Sequence, residues 1–170
     1  MVDCPHIERM GYGGDGNAST QTIQTMYDVS LLYYNWMQAW EDCIRPEGSL
    51  PHTPPAPFSR GGGPYWCAFV ILGSWRAYVH YGDDRLLKKY YPLFPLWLNF
   101  VTLHKVDGLL KKWPNEEYRN WYLGDWATPA GIDQTNEQSV DLVNNCCISV
   151  CYDYMSKIAG ILGHAEDTRK

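Results

Sequence analysis

The 170-residue sequence predicts an all-α protein, and three observations carry that expectation. Apolar residues recur at three- and four-residue spacing near 20–44, 65–81, 84–105 and 137–162, the period of helices that turn one face to a core. No run alternates with period two for more than a few residues, and no strand–helix–strand unit can be traced. The composition is globular, with 45% hydrophobic and 19% charged residues, and the length fits one domain with a sizeable core.

Each element follows in order. Residues 1–19 read as an irregular segment in which Gly11, Gly13, Gly14 and Gly16 allow backbone to come close to a ligand. The first helix is expected from Thr20 to Ile44, with Ile23, Tyr27, Leu31, Tyr34, Met37 and Trp40 on its buried stripe; Arg45-Pro46-Glu47-Gly48 ends it. The Pro/Gly loop over 46–64 is too long for a plain connector, and loops of that length in compact domains often carry function. The second helix, Tyr65 to Tyr81, is apolar nearly all round at its start, which predicts burial on every side; Gly82-Asp83 breaks it.

The third helix starts with Asp83 or Asp84 as cap and reaches Lys105. Leu86, Tyr90, Trp97 and Val101 form one stripe, Leu87, Tyr91, Phe94 and Leu98 its neighbour, and Pro92 and Pro95 must kink or split the helix. Val106-Asp107-Gly108 is a turn, and Leu109 to Trp113 is a short strand or extended chain. Residues 114–134 form a loop holding Trp121, Asp125 and Trp126. The last helix runs from Glu137 to Leu162, with Thr135 and Gln138 as a capping box and Val143, Cys147, Val150, Tyr154 and Ile158 on its apolar face. The helices are expected to pack as antiparallel hairpins, with the acidic N-terminal loop and the loops near 60–66 and 121–131 gathered at one end.

Several function classes fall away. The charge sum is 14 − 19 = −5, so no basic field is present to hold nucleic-acid phosphates. No stretch of eighteen apolar residues predicts a transmembrane helix, and the N-terminus has neither a charged leader nor an apolar run. Most of the six cysteines, Cys4, Cys43, Cys67, Cys146, Cys147 and Cys151, read as buried free thiols, which leans towards a reducing, cytoplasmic compartment. Gly11 to Gly16 has the letters of a dinucleotide fingerprint, but residues 1–10 form no apolar strand to precede it. His6-Ile7-Glu8 matches half of a zinc deaminase signature; Cys147 and Cys151, with three residues between them and no proline before, do not supply the other half. No metal and no cofactor are implied. Asn17-Ala18-Ser19 has the form of a glycosylation sequon but lies within the candidate site loop.

The chemistry concentrates at the N-terminus, where Asp3, Glu8 and Asp15 stand within thirteen residues beside Arg9. A solvated acidic loop is the ordinary reading of such a cluster, yet Cys4, Pro5, Met10 and Tyr12 are poorly suited to an exposed loop. Carboxylates held close in partly dry surroundings push one another's pKa values apart, so that one can stay protonated at neutral pH. Glycosidases use two carboxylates about the scissile bond. Eight Trp and thirteen Tyr offer flat faces on which sugars stack, or else fill a helical core.

The run Asp3-Cys4-Pro5-His6-Ile7-Glu8-Arg9-Met10-Gly11-Tyr12-Gly13-Gly14-Asp15 resembles the signature of the bacterial-type α-L-rhamnosidases, glycoside hydrolase family 78. Leu50-Pro51-His52-Thr53, Gly61-Gly62-Gly63-Pro64-Tyr65-Trp66, Tyr81-Gly82-Asp83 and Gly124-Asp125-Trp126 follow in the order expected for it. The resemblance implies a six-hairpin (α/α)6 barrel that hydrolyses terminal non-reducing α-L-rhamnose with inversion, from an active site in loops at one end. Carried over by motif, Glu8 resembles the general acid. Asp3 and Asp15 resemble carboxylates that bind rhamnose hydroxyls, with Arg9 beside them. Tyr12, Trp66 and Trp126 resemble walls of the sugar pocket, and Asp125 a further polar contact.

Two departures from the family pattern stand out. Ile7 occupies a position where many relatives have Arg. Twelve helices with their loops also need roughly 300–400 residues, so residues 1–170 read as the first third to half of the barrel, with no second domain. No residue can be assigned to the family's general base, and the segment alone is expected to be inactive. The remaining expectations are a rhamnose-containing carbohydrate as partner and completion by the rest of the barrel or by self-association. A non-catalytic half-barrel, or a six-hairpin hydrolase acting on another sugar, is the alternative.

Overall fold

The computed structural model describes residues 6–56, 62–111, 122–124, 137–164 and 166–167. It is helical, as expected, but the first helix differs in both position and continuity. Helix α1 spans Gly13–Met26 and α2 spans Ser30–Cys43, so the glycine-rich run from Gly13 to Gly16 opens a helix instead of forming a loop. The break between them has a local cause. The Asp28 carboxylate accepts the N–H of Ser30 at 3.0 Å and the Tyr81 hydroxyl accepts the N–H of Val29 at 3.0 Å. Both bonds satisfy donors that would otherwise be orphaned at the start of α2. The Ser30 bond also holds the Asp28 carboxyl below its ordinary range. Tyr27 and Leu31 therefore do not join the buried stripe; they are 64% and 81% exposed, and Tyr33, Trp36, Met37 and Trp40 face the core.

The predicted second helix is a short α3, Pro64–Cys67, followed by α4, Phe69–Tyr81. Pro64 sits in the first turn of α3, where its missing N–H costs nothing. Phe69 through Ser74 are all buried, as the all-round apolar start of this helix requires. Gly82 ends α4 in the left-handed conformation, φ +67°, and its N–H returns to the Tyr78 carbonyl. Pro92 splits the third helix into α5, Arg85–Tyr90, and α6, Leu93–Leu103. Both of its predicted stripes are buried.

A two-residue turn then joins β1, Lys105–Val106, to antiparallel β2, Leu109–Leu110. Asp107 and Gly108 both have positive φ, +50° and +80°, the geometry that suits the twist of a tight hairpin. Helix α7, Glu137–Leu162, presents Val140, Asn144, Cys147, Ile148, Cys151, Met155 and Ile158 to the core. The expected face is thus rotated. Val150 is 41% exposed and Cys146 is exposed, because both lie to one side of the true stripe. Thr135 lies outside the described residues.

Helix α4 is central, packed by α1, α2 and α7, while α3 packs against α1 and α7. Trp36 and Trp40 of α2 lie against Gly16 and Gly13 of α1, so the two helices form an antiparallel hairpin. Phe69 is fully buried, 4.3 Å from the Trp36 ring, and Tyr33 and Trp40 complete the cluster. Much of the aromatic content is therefore core. No helix among the described residues is long and apolar enough to cross a membrane.

The thiols sort by burial. Cys67, Cys147 and Cys151 are buried and Cys146 is exposed. Burial pushes the Cys67 and Cys151 thiols above their ordinary range, with Cys147 adding to both shifts. In native protein, an aromatic disulfide reagent is expected to label Cys146 rapidly and the three buried thiols, Cys67, Cys147 and Cys151, only on unfolding. Peptide mapping of labelled sites checks this; fast labelling of Cys67 or Cys151 would contradict the packing.

Candidate active site

Glu8 lies in an exposed turn, and the chain reverses immediately after it because Arg9 adopts a left-handed backbone, φ +57°. A non-glycine residue in this region is held there by its surroundings, and such residues cluster at functional sites. Met10 to Tyr12 then descend into the structure, and α1 begins at Gly13. Asp15 falls in the first turn of α1, where the unsatisfied N–H groups and the helix dipole favour a negative charge. That setting suits a carboxylate that accepts hydrogen bonds.

The first turn of α1 is seated directly on Trp66. A Cβ on Gly13 would stand 2.0 Å from the Trp66 carbonyl oxygen and 2.9 Å from the Trp40 ring. One on Gly14 would stand 2.8 Å from the Trp66 indole nitrogen. Only glycine permits this approach, so the two glycines before Asp15 are needed for contact, not for unusual φ. Trp66 is 7% exposed, with Tyr65 edge-on to it at 5.7 Å. It lies against the first turn of α1, the turn that holds Asp15.

The proline-rich loop joins this end. Gly13 donates its N–H to the His52 carbonyl at 3.0 Å, and Gly62 donates to the Leu50 carbonyl at 2.9 Å. Residues 48–54 are all buried, so this part of the loop is a wedge, not a free flap. Its His52 ring, 6% exposed, stacks on Tyr12 with centroids 5.6 Å apart and planes at 29°. The protonated Cys67 thiol lies 3.4 Å from the carbonyl oxygens of Leu50 and Pro51 and donates to them from below. His52 falls in the Leu50-Pro51-His52-Thr53 motif, but it has no assigned role there, and Cys67 is not expected at the site; the fold stacks His52 on Tyr12 and sets Cys67 against the carbonyls of Leu50 and Pro51.

The start of α7 anchors a second approach. Asn144 donates to the Leu123 carbonyl at 3.0 Å, and the Tyr122 hydroxyl donates to the Leu110 carbonyl at 3.1 Å. A Cβ on Gly124 would stand 2.8 Å from the Val140 Cα. These contacts fix the chain immediately before Asp125. Asp125, Trp126 and Asp3 themselves lie outside the described residues. Among the described residues, no group of three or more His, Cys, Asp or Glu is arranged to hold a metal ion. The sequon asparagine is not available as a glycan acceptor in the folded chain: Asn17 is 4% exposed, and its amide donates to the Tyr65 carbonyl at 2.7 Å.

Comparison with known proteins agrees with the helical fold. The model of the bacterial alpha-L-rhamnosidase 6 hairpin glycosidase domain matches residues 1–170. An alpha-L-rhamnosidase of Formosa agariphila is 26% identical in an alignment of 153 residues that covers 82% of this chain and 15% of that protein. One from an Alteromonas species is 29% identical over 130 residues, 75% of this chain and 13% of that protein. The solved structure of an alpha-L-rhamnosidase from Dictyoglumus thermophilum superposes with a TM-score of 0.86 at 26% identity, over 99% of this chain and 18% of that one. The chain thus spans less than a fifth of the length of these relatives, and its helices are part of a six-hairpin barrel. By the match over its whole length, the chain belongs to the bacterial alpha-L-rhamnosidase six-hairpin glycosidase domain family.

Proposed function

We propose that this chain is the N-terminal part of the catalytic domain of an inverting hydrolase of terminal α-L-rhamnosides, and that it supplies the acid half of the machinery. The observation that carries the reading is the seating of the first turn of α1, which holds Asp15 and follows the Glu8 turn, on Trp66 within a chain of this family. Glu8, exposed on its turn, protonates the glycosidic oxygen as the bond to the anomeric carbon breaks. Asp15, with Asp3 and Arg9, binds sugar hydroxyls. Tyr12, Trp66 and Trp126 line the sugar, an arrangement suited to the apolar C6 methyl edge of rhamnose, and Asp125 adds a polar contact.

Inversion requires a second carboxylate about 6.5–9.5 Å from the first, which takes a proton from water as the water attacks the opposite face. In this reading that base, and the helices that close the barrel, belong to a longer parent protein. Proton NMR of the sugar first released from an aryl α-L-rhamnoside by the parent tests the mechanism. β-L-rhamnose appearing before mutarotation is the expected result, and the α anomer appearing first would overturn inversion.

A further inference from the structure

Asn17 stands two residues beyond Asp15 in α1 and is nearly sealed from solvent, 4% exposed. Buried amides are retained where their hydrogen bonds specify an arrangement. Here both ends of the residue are engaged by different elements. Its side-chain amide donates to the Tyr65 carbonyl at 2.7 Å, in the residue that precedes Trp66. Its backbone carbonyl accepts from the Arg76 guanidinium at 2.6 Å, from the middle of α4. The glycines at 13 and 14 let α1 approach Trp66, but a glycine contact sets no register by itself; the directional bonds must do so.

We propose that Asn17 is a positioning residue of the site: with Arg76 it locks the first turn of α1, and so Asp15, to the Tyr65–Trp66 segment. Asn17 itself touches neither sugar nor acid in this scheme. The inference deepens the rhamnoside-hydrolase reading, and only its kinetic readout rests on that reading.

The test compares wild type with Asn17→Ala and the isosteric Asn17→Asp, with Arg76→Lys as a variant that leaves the asparagine intact. The first readout is hydrogen exchange of the amides of residues 14–18 against those of 71–77 in α4. Exchange over 14–18 is expected to rise at least about tenfold in Asn17→Ala with α4 unchanged. In Asn17→Asp it should slow again as the pH falls and the carboxyl, protonated, donates to the Tyr65 carbonyl. A protein in which 14–18 exchange as in wild type would overturn the proposal.

The second readout is kinetic, in the parent at a temperature where every variant is folded. Asn17→Ala should lower kcat/KM by about tenfold and by the same factor for good and poor leaving groups, since the acid is untouched. A loss confined to poor leaving groups would assign Asn17 to proton transfer and overturn the positioning role. A wild-type parent inert to rhamnosides would strike the substrate reading alone, and the exchange result would still decide the role of Asn17.

Discussion

Glu8→Gln in the parent protein is expected to lower kcat by about 10²–10⁴-fold on rhamnosides with poor leaving groups, and by far less on activated nitrophenyl rhamnosides. The argument runs from the bond that breaks. An alkoxide leaving group departs only if its oxygen is protonated in the transition state, whereas a nitrophenolate departs without help. Gln keeps the size and hydrogen-bonding shape of Glu but has no proton to give. KM should therefore stay close to its wild-type value, because the interaction lost belongs to the transition state. Steady-state kinetics across a series of leaving groups checks this. An equal, small loss for all leaving groups, or an unchanged kcat on an alkyl rhamnoside, would remove Glu8 from the role.

Gly13→Ala is expected to destabilise the fold by about 3 kcal/mol, against the direction of helix propensity. In an exposed helix, replacing glycine by alanine gains about 1 kcal/mol. At Gly13 the added methyl would meet the Trp66 carbonyl oxygen at 2.0 Å and the Trp40 ring at 2.9 Å. The nearest obstacle is backbone, so no side-chain rotation relieves it. The Gly13 N–H also carries the bond to His52, and any retreat of α1 loosens that loop. Thermal unfolding should show a loss of roughly 6–12 °C in Tm. Near-UV circular dichroism should change with it, because two tryptophans flank the site. An unchanged or raised Tm would contradict the close seating of α1 on Trp66.

How far the sequence could be read depends on what holds each element. The proline split between α5 and α6, the Asp107-Gly108 turn and the all-round burial at the start of α4 were legible because local chemistry dictates them. The break after Met26 was not. It rests partly on the Tyr81 hydroxyl, a partner more than fifty residues away, and the continuing three-and-four spacing of Tyr27 and Leu31 disguised it. The glycines at 13, 14 and 16 looked like loop because glycine disfavours helix; packing against Trp66, Trp40, Trp36 and Phe69 overrides that preference. On α7 several apolar residues compete for the face, and only tertiary contact selects Cys147 and Cys151 over Cys146 and Val150.

The candidate site shows the same division. Glu8, Asp15, Tyr12 and Trp66 are expected at the site by the resemblance of their motifs. His52 stood in a family motif without a role, and Cys67 and Asn17 stood in none, since their parts come from a carbonyl, a thiol bond and a buried amide that only the fold brings together.

The central claim, that this chain carries the acid side of a rhamnoside-cleaving site, is tested most directly by substrate preference. The measurement is kcat/KM of the parent protein on 4-nitrophenyl α-L-rhamnopyranoside and on the matching fucoside, glucoside, mannoside and arabinoside. Preference for the rhamnoside by at least about a hundredfold is the predicted result, since polar groups matched to one set of hydroxyls reject sugars that leave them unpaired. Equal or greater activity on any of the other sugars, or none on the rhamnoside, would contradict it.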